Sequence, residues 1–364
     1  MSLFGLFKNE QNSTDDEIIE SITGNLCRCT GYRPIADAAK HVFANKQNDQ
    51  FTQNEPKIIK LIKEIQQDNL KLAGIIKLSD KFMQQYFIPQ TLEQFFDIHN
   101  QFPEAELING STDTSLRITK NKEQIKQIID LSQINDLQNI IEDKDENVFK
   151  IGAGVTMEDL RQYIKNKLPA LYKMLSVFGA KQIRNKATIG GNVATASPIG
   201  DIVMTLIAYN AKIIIRNAKN ERVIPLNKFI TGYRQTLLEK NEIVRTIIIP
   251  KPSENEIIKS YKISKRSHLD ISTVSAAFNL QLSNDNKIQN IIIVYGGMAA
   301  MPMRATKTEL FLKDKDWTNE TIIKSQEILS NEFTPLSDAR SGKVARTIMC
   351  KNLLMKFFSE NKNK

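Results

Sequence analysis

The chain has 364 residues, of which 41% are hydrophobic and 25% charged, and this length predicts two or three domains with packed cores. No apolar stretch approaches the roughly 20 residues of a membrane span, and three cysteines are too few for a disulfide framework, so a cytoplasmic protein is expected. The formal charge of +9 comes from lysines that alternate with acidic residues, which favours a solvated surface over nucleic-acid binding.

The first 45 residues predict a small helical unit around two cysteines. Ser13 and Thr14 precede three acidic residues at 15–17, which is typical of a helix N-cap followed by a first turn that suits the helix dipole. Cys27 and Cys29 follow in a loop between two glycines. Two thiols separated by one residue can ligate one cluster together, although a bare Cys-x-Cys is more often a pair of ordinary cysteines.

A polar linker separates this unit from the next domain. Residues 46–80 are rich in Lys, Gln, Asn and Asp and predict one weakly amphipathic helix. A strand at 82–89 and a helix at 91–99 with Thr91 as its cap begin the following domain. A structural role is favoured for His99, because no partner residue lies near it in the sequence.

A polar loop follows the next short strand, at 106–108. It reads Asn-Gly-Ser-Thr-Asp-Thr from Asn109 to Thr114 and leads into a helix. A strand followed by a small polar loop and a helix N-terminus is an arrangement that binds a pyrophosphate. A simple capped turn has the same sequence pattern. It is not a G-x-G-x-x-G sequence, so a Rossmann domain is not supported. We expect Asn109 to tolerate the left-handed conformation that the turn requires.

The most informative stretch is 187–201. It reads Ala-Thr-Ile-Gly-Gly-Asn-Val-Ala-Thr-Ala-Ser-Pro-Ile-Gly-Asp and is uncharged until its last residue. Gly190 and Gly191 lack Cβ atoms, so the backbone can turn there with positive φ and approach a ligand closely. Exposed backbone N–H groups with the side chains of Thr188, Asn192 and nearby residues predict a site for phosphate oxygens that needs no lysine. A polar turn is the simpler alternative, and the full run favours the nucleotide site.

Residues 181–201 resemble the FAD-binding segment of the xanthine dehydrogenase flavoproteins. The residues around the cysteines, Asn-Leu-Cys-Arg-Cys-Thr-Gly-Tyr-Arg-Pro, are similar to the second [2Fe–2S] domain of the wider molybdenum hydroxylase family. The resemblance extends from about residue 1 to about residue 350 and implies an α+β fold. Its centre is an FAD-binding domain of the vanillyl-alcohol-oxidase/carbon monoxide dehydrogenase flavoprotein type at 81–253. A partial helical [2Fe–2S]-binding domain at 1–48 and a linker at 49–80 precede it, and a small α+β C-terminal domain follows at 254–364.

The resemblance also implies roles for single residues. The diphosphate meets the loop 107–114, Phe178 and Val244 enclose the adenine, and Asp201 accepts a hydrogen bond from the adenosine part of FAD. Lys262 is implied as the catalytic residue, since a lysine near the flavin stabilises negative charge on the reduced ring. The implied cofactor-binding residues are Leu107, Ile108, Asn109, Gly110, Ser111, Thr112, Asp113, Thr114, Phe178, Thr188, Ile189, Gly190, Gly191, Asn192, Asp201, Val244 and Lys262.

Two further segments match the family. Residues 229–236 resemble a segment that leads to the strand of Val244. The loop 264–270 is implied to border the flavin where nicotinamide docks, and a solvated basic hairpin is an equally good interpretation of Lys265, Arg266 and His268.

The implied metal site is half present. A [2Fe–2S] cluster takes four protein ligands, and Cys27 and Cys29 supply two. In the family the other two come from a C-x-x-C shortly before a segment similar to residues 1–7. The chain is therefore expected to be N-terminally truncated relative to the family, and to hold a cluster only where the missing half is supplied. Cys350, in a Lys-rich helical tail, is not expected to substitute.

The implied function is that of the FAD subunit of a hetero-oligomer. In the family a purine such as hypoxanthine or xanthine is hydroxylated at a molybdenum centre, electrons pass through [2Fe–2S] clusters to FAD, and NAD accepts a hydride. No segment resembles the molybdopterin domains, which implies a molybdopterin-binding large subunit and an upstream [2Fe–2S] polypeptide as partners, and no xanthine oxidation by this chain alone. The open alternatives are an aldehyde or carbon monoxide dehydrogenase subunit, a non-catalytic FAD-binding remnant, and a basic binding module unrelated to redox chemistry.

Overall fold

The structure is a computed structural model that describes residues 1–10, 12–27, 31–45, 48–68, 73–79, 82–266 and 269–362. Helices and sheets are mixed along this part of the chain, as the α+β prediction requires. Cys29 and His268 lie outside the described residues. Within these ranges, no helix combines the length and the apolar character needed to cross a membrane.

The N-terminal region is helical. Helix α2 begins after the N-cap Thr14, whose side chain accepts a hydrogen bond from the Glu17 N–H while the Glu17 side chain accepts one from the Thr14 N–H, so the predicted cap is confirmed. Leu6, Ile18 and two alanines of α3 form a small core. The predicted linker helix is present as α4. The helices are α1 (Ser2–Asn9), α2 (Asp15–Ile22), α3 (Tyr32–Ala44) and α4 (Gln50–Asp68).

The first sheet has the strand order β1-β2-β4-β3, in which β2, β4 and β3 are parallel. Its strands are β1 (Ala73–Ser79), β2 (Phe82–Phe87), β3 (Glu106–Ile108) and β4 (Gln127–Asp130). Helix α5 (Leu92–Gln101), capped by Thr91 as predicted, packs Phe95 and Phe96 into the core of this sheet, and α6 (Thr114–Thr119) follows the polar loop. His99 is buried beside the Phe95 ring, with a centroid distance of 5.4 Å.

The second sheet is antiparallel, with the order β5-β6-β11-β7-β8. Its strands are β5 (Ile140–Asp143), β6 (Val148–Gly152), β7 (Lys212–Arg216), β8 (Glu221–Pro225) and β11 (Ile243–Pro250), and a short pair is formed by β9 (Ile230–Gly232) and β10 (Gln235–Thr236). The helices of this region are α7 (Met157–Tyr163), α8 (Pro169–Ser176), α9 (Lys181–Arg184), α10 (Ile189–Ala194), α11 (Asp201–Ala208) and α12 (Leu226–Phe229).

The third sheet is antiparallel and lies against the second region through α11. All eight residues of α11 are buried, because this apolar helix belongs to a core that also contains Ala277 and Val294 of the third sheet. The opposite face of this sheet packs Phe278 against Phe357, near Trp317. The elements are β12 (Glu256–Ile263), β13 (Val274–Leu282), β14 (Ile288–Gly296), β15 (Met303–Arg304), α13 (Thr306–Leu312), α14 (Asn319–Ser330) and α15 (Lys343–Asn361).

Candidate functional site

A cavity of about 700 Å³ lies where the loop after β3, the start of α10 and the end of β12 meet. This volume falls within the roughly 300–1,000 Å³ of small-molecule and cofactor sites. The predicted residues that line it are Leu107, Ile108, Asn109, Ser111, Thr112, Asp113, Thr114, Phe178, Thr188, Gly191, Asn192, Asp201 and Lys262. Four others, Gly110, Ile189, Gly190 and Val244, do not line it.

The loop after β3 presents its backbone to the cavity. The left-handed residues are Gly110, with φ +77°, and Ser111, with φ +60°, so the tolerance of Asn109 for this conformation is not used here. A Cβ at Gly110 would lie 1.7 Å from the carbonyl oxygen of Lys186, so only glycine fits. Among the hydrogen bonds between described residues, the N–H groups of Gly110, Ser111 and Thr112 donate none. Such groups in a tight loop bind anionic oxygens.

The two glycines of α10 differ from the prediction. Neither has positive φ, because both lie in the first turn of the helix. Their N–H groups are not free: that of Gly190 donates to the Ala153 carbonyl at 2.8 Å, and that of Gly191 donates to Thr188 Oγ1 at 3.2 Å. The N–H of Asn192 donates to the Thr188 carbonyl at 3.0 Å. The prediction of exposed backbone N–H groups at this point is therefore wrong, and such groups lie in the loop after β3 instead.

The missing Cβ atoms serve two different purposes. A Cβ at Gly190 would lie 2.4 Å from the Cβ of Ala153, so this glycine permits close packing of α10 on the chain after β6. A Cβ at Gly191 would have only Thr188 Oγ1, at 3.0 Å, and the Asn109 carbonyl oxygen, at 4.0 Å, near it, and Gly191 lines the cavity. Only the second glycine leaves space that a ligand could occupy.

One polar atom of the wall has no hydrogen-bond partner. The Oδ1 atom of Asn192 is buried and accepts no hydrogen bond from the described part of the chain. A buried acceptor left in this state costs about 1–3 kcal/mol. FAD offers suitable donors in its hydroxyl groups and ring N–H groups. The orphaned oxygen and the space above Gly191 therefore fit this cofactor.

Lys262 and Asp201 form a buried ion pair in the cavity wall, with 3.0 Å between Nζ and Oδ2. Lys262 Nζ also donates to the Val177 carbonyl at 3.2 Å, and Ser272 Oγ donates to Asp201 Oδ1 at 2.7 Å. The resemblance assigned Asp201 to the adenosine part of the cofactor and Lys262 to the flavin ring. In this structure the two side chains contact each other, and the division of roles between them stays a prediction.

Phe178 and Val244 are not opposite walls of the site. Phe178 is half-buried and lines the cavity beside Gly179. Val244 is 6% exposed and packs in the core of the second sheet, where it pairs with Ile215. An irregularity in the pairing of β11 with β7 between Val244 and Thr246 puts Val244 on the same face as Ile247 and Ile249. The predicted enclosure of the adenine by both residues is therefore wrong for Val244.

Two arginines in the wall were not predicted as site residues. Arg117 of α6 forms an ion pair with Glu106 at 2.7 Å, and Arg234 lies 3.4 Å from a carboxylate oxygen of Asp113. Arg234 falls within the segment 229–236, which resembles a segment of the family. That resemblance could have identified Arg234 as a candidate site residue. Hydrogen bonds from the guanidinium to Glu123 and Glu106 raise the pKa of Arg117, so it stays a cation.

The loop after β12 reaches the same cavity through Leu269, Asp270 and Ile271. The Arg266 side chain donates to Asp270 Oδ1 at 2.9 Å from Nε, and its backbone N–H donates to Oδ2 at 3.0 Å. This hydrogen bonding lowers the pKa of Asp270. Asp270 thus accepts hydrogen bonds from both the side chain and the backbone of Arg266, which is exposed.

Cys27 is exposed at the end of the described segment 12–27. The Tyr32 hydroxyl donates to its carbonyl and accepts from its N–H, both at 2.5 Å. No group of three or more His, Cys, Asp or Glu side chains able to hold a metal occurs among the described residues. Burial raises the pKa of Cys350 to about 12, which keeps this sulfur a thiol rather than the thiolate that ligates a cluster.

Comparison with protein families gives three matches. Residues 80–252 match the FAD binding domain in molybdopterin dehydrogenase, residues 259–361 the CO dehydrogenase flavoprotein C-terminal domain, and residues 1–40 a [2Fe-2S] binding domain. A xanthine dehydrogenase of Emericella nidulans is 29% identical over 88% of this chain. One from Oryza sativa subsp. japonica is 28% identical over 98% of it. The chain spans 27% and 31% of the lengths of these two relatives.

Solved structures show the same fold. The carbon monoxide dehydrogenase from Hydrogenophaga pseudoflava has a chain with a TM-score of 0.70 and 24% identity, covering 74% of this chain and 94% of its own. Quinoline 2-oxidoreductase from Pseudomonas putida 86 has a TM-score of 0.69 and 20% identity, covering 76% and 95%. The predicted fold class is confirmed. The chain therefore combines an FAD-binding domain of the molybdopterin dehydrogenase type, a CO dehydrogenase flavoprotein-type C-terminal domain and part of a [2Fe–2S] domain, and it has the fold of molybdenum hydroxylase flavoprotein chains.

Proposed function

We propose that this chain is the FAD-carrying subunit of an NAD-dependent xanthine dehydrogenase, with the domain division 1–48, 49–80, 81–253 and 254–364. The observation that carries the proposal is one cavity of about 700 Å³ lined by most of the predicted cofactor residues. Relatives named xanthine dehydrogenase support the purine class. The solved structures named carbon monoxide dehydrogenase and quinoline 2-oxidoreductase keep other substrates as alternatives for the complex.

The chain's own groups would hold the cofactor in three ways. The free N–H groups of Gly110, Ser111 and Thr112 bind the diphosphate, and the space above Gly191 admits it. Asn192 Oδ1 accepts a hydrogen bond from a cofactor hydroxyl or ring N–H. When bound, FAD accepts electrons one at a time and releases two together as a hydride, which suits a junction between clusters and NAD.

Lys262 acts in this proposal as an orienting group. Because Asp201 lies 3.0 Å away, the pair carries no net charge, and Lys262 contributes little free positive potential to the flavin. Its hydrogen bond to the Val177 carbonyl instead fixes the backbone next to Phe178. Lys262→Met is then expected to weaken FAD binding more than it alters the flavin reduction potential.

The proposed partners follow from the half-complete metal site. Cys27 and Cys29 supply two thiolates to a [2Fe–2S] cluster, and an upstream polypeptide with C-x-x-C supplies the other two. A molybdopterin-binding large subunit carries out the purine chemistry. The exposed position of Cys27 is compatible with docking of such a polypeptide.

The proposal is tested with purified, FAD-loaded chain under anaerobic conditions. We expect NADH to bleach the flavin absorption, because hydride exchange needs only the flavin and its nicotinamide-facing side, and we expect xanthine to leave it oxidised. A colourless protein that takes up no FAD would contradict the proposal, as would bleaching by xanthine alone. Binding of nucleic acid by a colourless chain would favour the basic-module alternative.

A further inference from the structure

A buried group of charged side chains outside the cavity joins three helices. Arg184 of α9 is 1% exposed, and its Nε donates to Glu158 Oε2 of α7 at 2.6 Å. Its terminal nitrogen forms an ion pair with Glu20 of α2. Arg161 of α7 lies 2.6 Å from Glu158 and 3.7 Å from Glu20. Two guanidinium groups thus share two carboxylates, one of which belongs to the N-terminal helices.

The Arg184 guanidinium also contacts the wall of the FAD cavity. Its Nη1 atom lies 3.1 Å from the carbonyl oxygen of Gly179 and 3.4 Å from that of Phe178. From the other side, Lys262 holds the preceding carbonyl, that of Val177, at 3.2 Å. Gly179 has φ +55°, so this segment is a turn. Side-chain hydrogen bonds from two cations therefore fix the backbone that presents the Phe178 ring.

A second contact joins the same helices. The side-chain amide of Gln182 in α9 donates to the Ser21 carbonyl at 2.8 Å and to Ser2 Oγ at 2.9 Å. A Cβ at Gly24 would lie 2.2 Å from Gln182 Oε1, so the chain after α2 approaches α9 closely. Helix α2 ends at Ile22, shortly before Cys27. The segment that leads to the cysteine loop is thus packed directly on the helix of Arg184.

We propose that Arg184 is a positioning residue that couples docking of the N-terminal helices to FAD binding. Glu20 and Glu158 orient the guanidinium, and the guanidinium holds the Phe178–Gly179 backbone in the arrangement that binds the cofactor. A planar fork with several donors can serve carboxylates and carbonyls at once, which a lysine cannot. The inference rests on the proposed function, because it takes this cavity as the FAD site.

The coupling is reciprocal. If the docked α2 raises the affinity for FAD, then bound FAD must stabilise the docked α2 by the same factor. The segment that carries Cys27 is consequently held against the flavin region most firmly when the flavin is present. Electron transfer between a cluster and a flavin benefits from such a fixed arrangement.

The test is a double-mutant cycle on FAD affinity, measured by quenching of flavin fluorescence. Glu20→Gln removes the charge that orients Arg184 and is expected to raise the dissociation constant about tenfold, within the typical 5- to 150-fold range of such couplings. In a Phe178→Ala background, the same change at Glu20 is expected to have little further effect. Asp16→Asn, an exposed carboxylate on the same helix, is the matched control and should leave the affinity unchanged.

Hydrogen exchange of the α2 amides gives an independent readout. FAD is expected to slow their exchange in the unmodified chain and to have no such effect in Glu20→Gln, whereas a purely structural ion pair would leave the FAD-dependent difference intact. Glu20→Asp, with a shortened side chain, gives the same comparison if the glutamine variant does not fold. Equal FAD affinities of the unmodified chain and the variant at position 20 overturn the inference alone. Equal effects of the Glu20 change in the Phe178→Ala and unmodified backgrounds do the same. An unmodified chain that binds no FAD overturns the proposed function and the inference with it.

Discussion

At the scale of single residues, the two adjacent glycines of the 187–201 stretch have different roles. Gly190 and Gly191 follow each other in the same helical turn, yet one faces Ala153 and the other the cavity. Successive residues of a helix point about 100° apart, so neighbours in sequence meet different surroundings. The same motif therefore contains a packing residue and a residue that leaves room for a ligand.

The two glycines allow a matched prediction. Gly191→Val is expected to leave the chain folded and to lower FAD affinity by about tenfold to a hundredfold, since overpacking costs about 1–3 kcal/mol and each 1.4 kcal/mol is tenfold. Gly190→Ala should instead lower the free energy of unfolding by a similar amount, because its Cβ would meet Ala153. Chemical denaturation and FAD titration of both variants separate the two effects. Full FAD binding by a folded Gly191→Val would show that the wall has been assigned incorrectly.

Asn192 permits a prediction in which FAD affinity falls while the stability of the ligand-free chain is retained. Asn192→Leu removes a buried acceptor that has no partner in the ligand-free chain, so we expect no loss of stability without FAD. With FAD, the variant lacks the acceptor for a cofactor donor, and affinity should fall about fivefold to tenfold, as for one lost hydrogen bond. Thermal unfolding with and without FAD measures both quantities. A variant that is destabilised equally in the two states would contradict this role.

At the scale of elements, the cavity and the N-terminal helices are joined by α9. This helix has four residues, and its side chains reach α2, α7 and the turn at Gly179. So short a helix has little stability of its own. Its position depends on the ion pairs and hydrogen bonds around it. The packing of α9 is therefore expected to be sensitive to pH.

Glu158 defines the pH window of this junction. Burial would raise its pKa, but hydrogen bonds from Arg161 and Arg184 lower it from the ordinary 4.5 to about 2. A carboxyl group whose folded-state pKa is depressed contributes stability that is full above its unfolded pKa and is lost as pH falls toward its folded pKa. We therefore expect this contribution to be present above about pH 4.5 and to disappear between there and about pH 2.

The measurement is urea unfolding of the unmodified chain and of Glu158→Gln at several pH values. The variant should be less stable at pH 7, because two buried arginines lose a carboxylate, and its stability should fall less steeply below pH 4.5. Glu327→Gln, at an exposed carboxylate of α14, is the control and should follow the unmodified chain. If the free energy of unfolding falls with pH in parallel for Glu158→Gln and the unmodified chain, Glu158 does not set this pH window.

At the scale of the whole molecule, the proposed function combines a flavin site in the cavity with two of the four ligands of a [2Fe–2S] cluster. Its three cysteines are Cys27, Cys29 and Cys350, and the last is buried in the core of the third sheet. One copy therefore lacks the four thiolates of a [2Fe–2S] cluster. Flavin binding and cluster binding are expected to be separable in this protein.

We predict that the isolated chain retains flavin but no stoichiometric iron. Addition of a polypeptide with the upstream C-x-x-C segment should restore a cluster, and Cys27→Ser or Cys29→Ser should abolish that rescue while leaving flavin in place. Iron and acid-labile sulfide per flavin are measured with and without the added segment. Cys350→Ser, which changes a buried thiol, is the control for general thiol loss. Two irons per flavin in the isolated chain would mean that the cluster ligands have been assigned incorrectly.

The sequence by itself determined the features that depend on local chemistry. The caps at Thr14 and Thr91 follow from a hydroxyl before a helical segment, and both are present. The helix in the linker at 46–80 follows from a weakly amphipathic pattern, and it is present as α4. The resemblance to the family follows from long continuous segments, such as 181–201, that can be matched directly in the sequence.

Tertiary structure alone decided which side chains meet. Lys262 and Asp201 are 61 positions apart and pair because β12 ends beside the start of α11. Val244 lies in the same core as Ile247 and Ile249 because the register between β11 and β7 shifts between Val244 and Thr246, whereas strict alternation would have put Val244 on the opposite face. Arg184 joins Glu20 to the cavity wall across 164 positions. Such contacts depend on packing between distant elements, and no pattern of neighbouring residues encodes them.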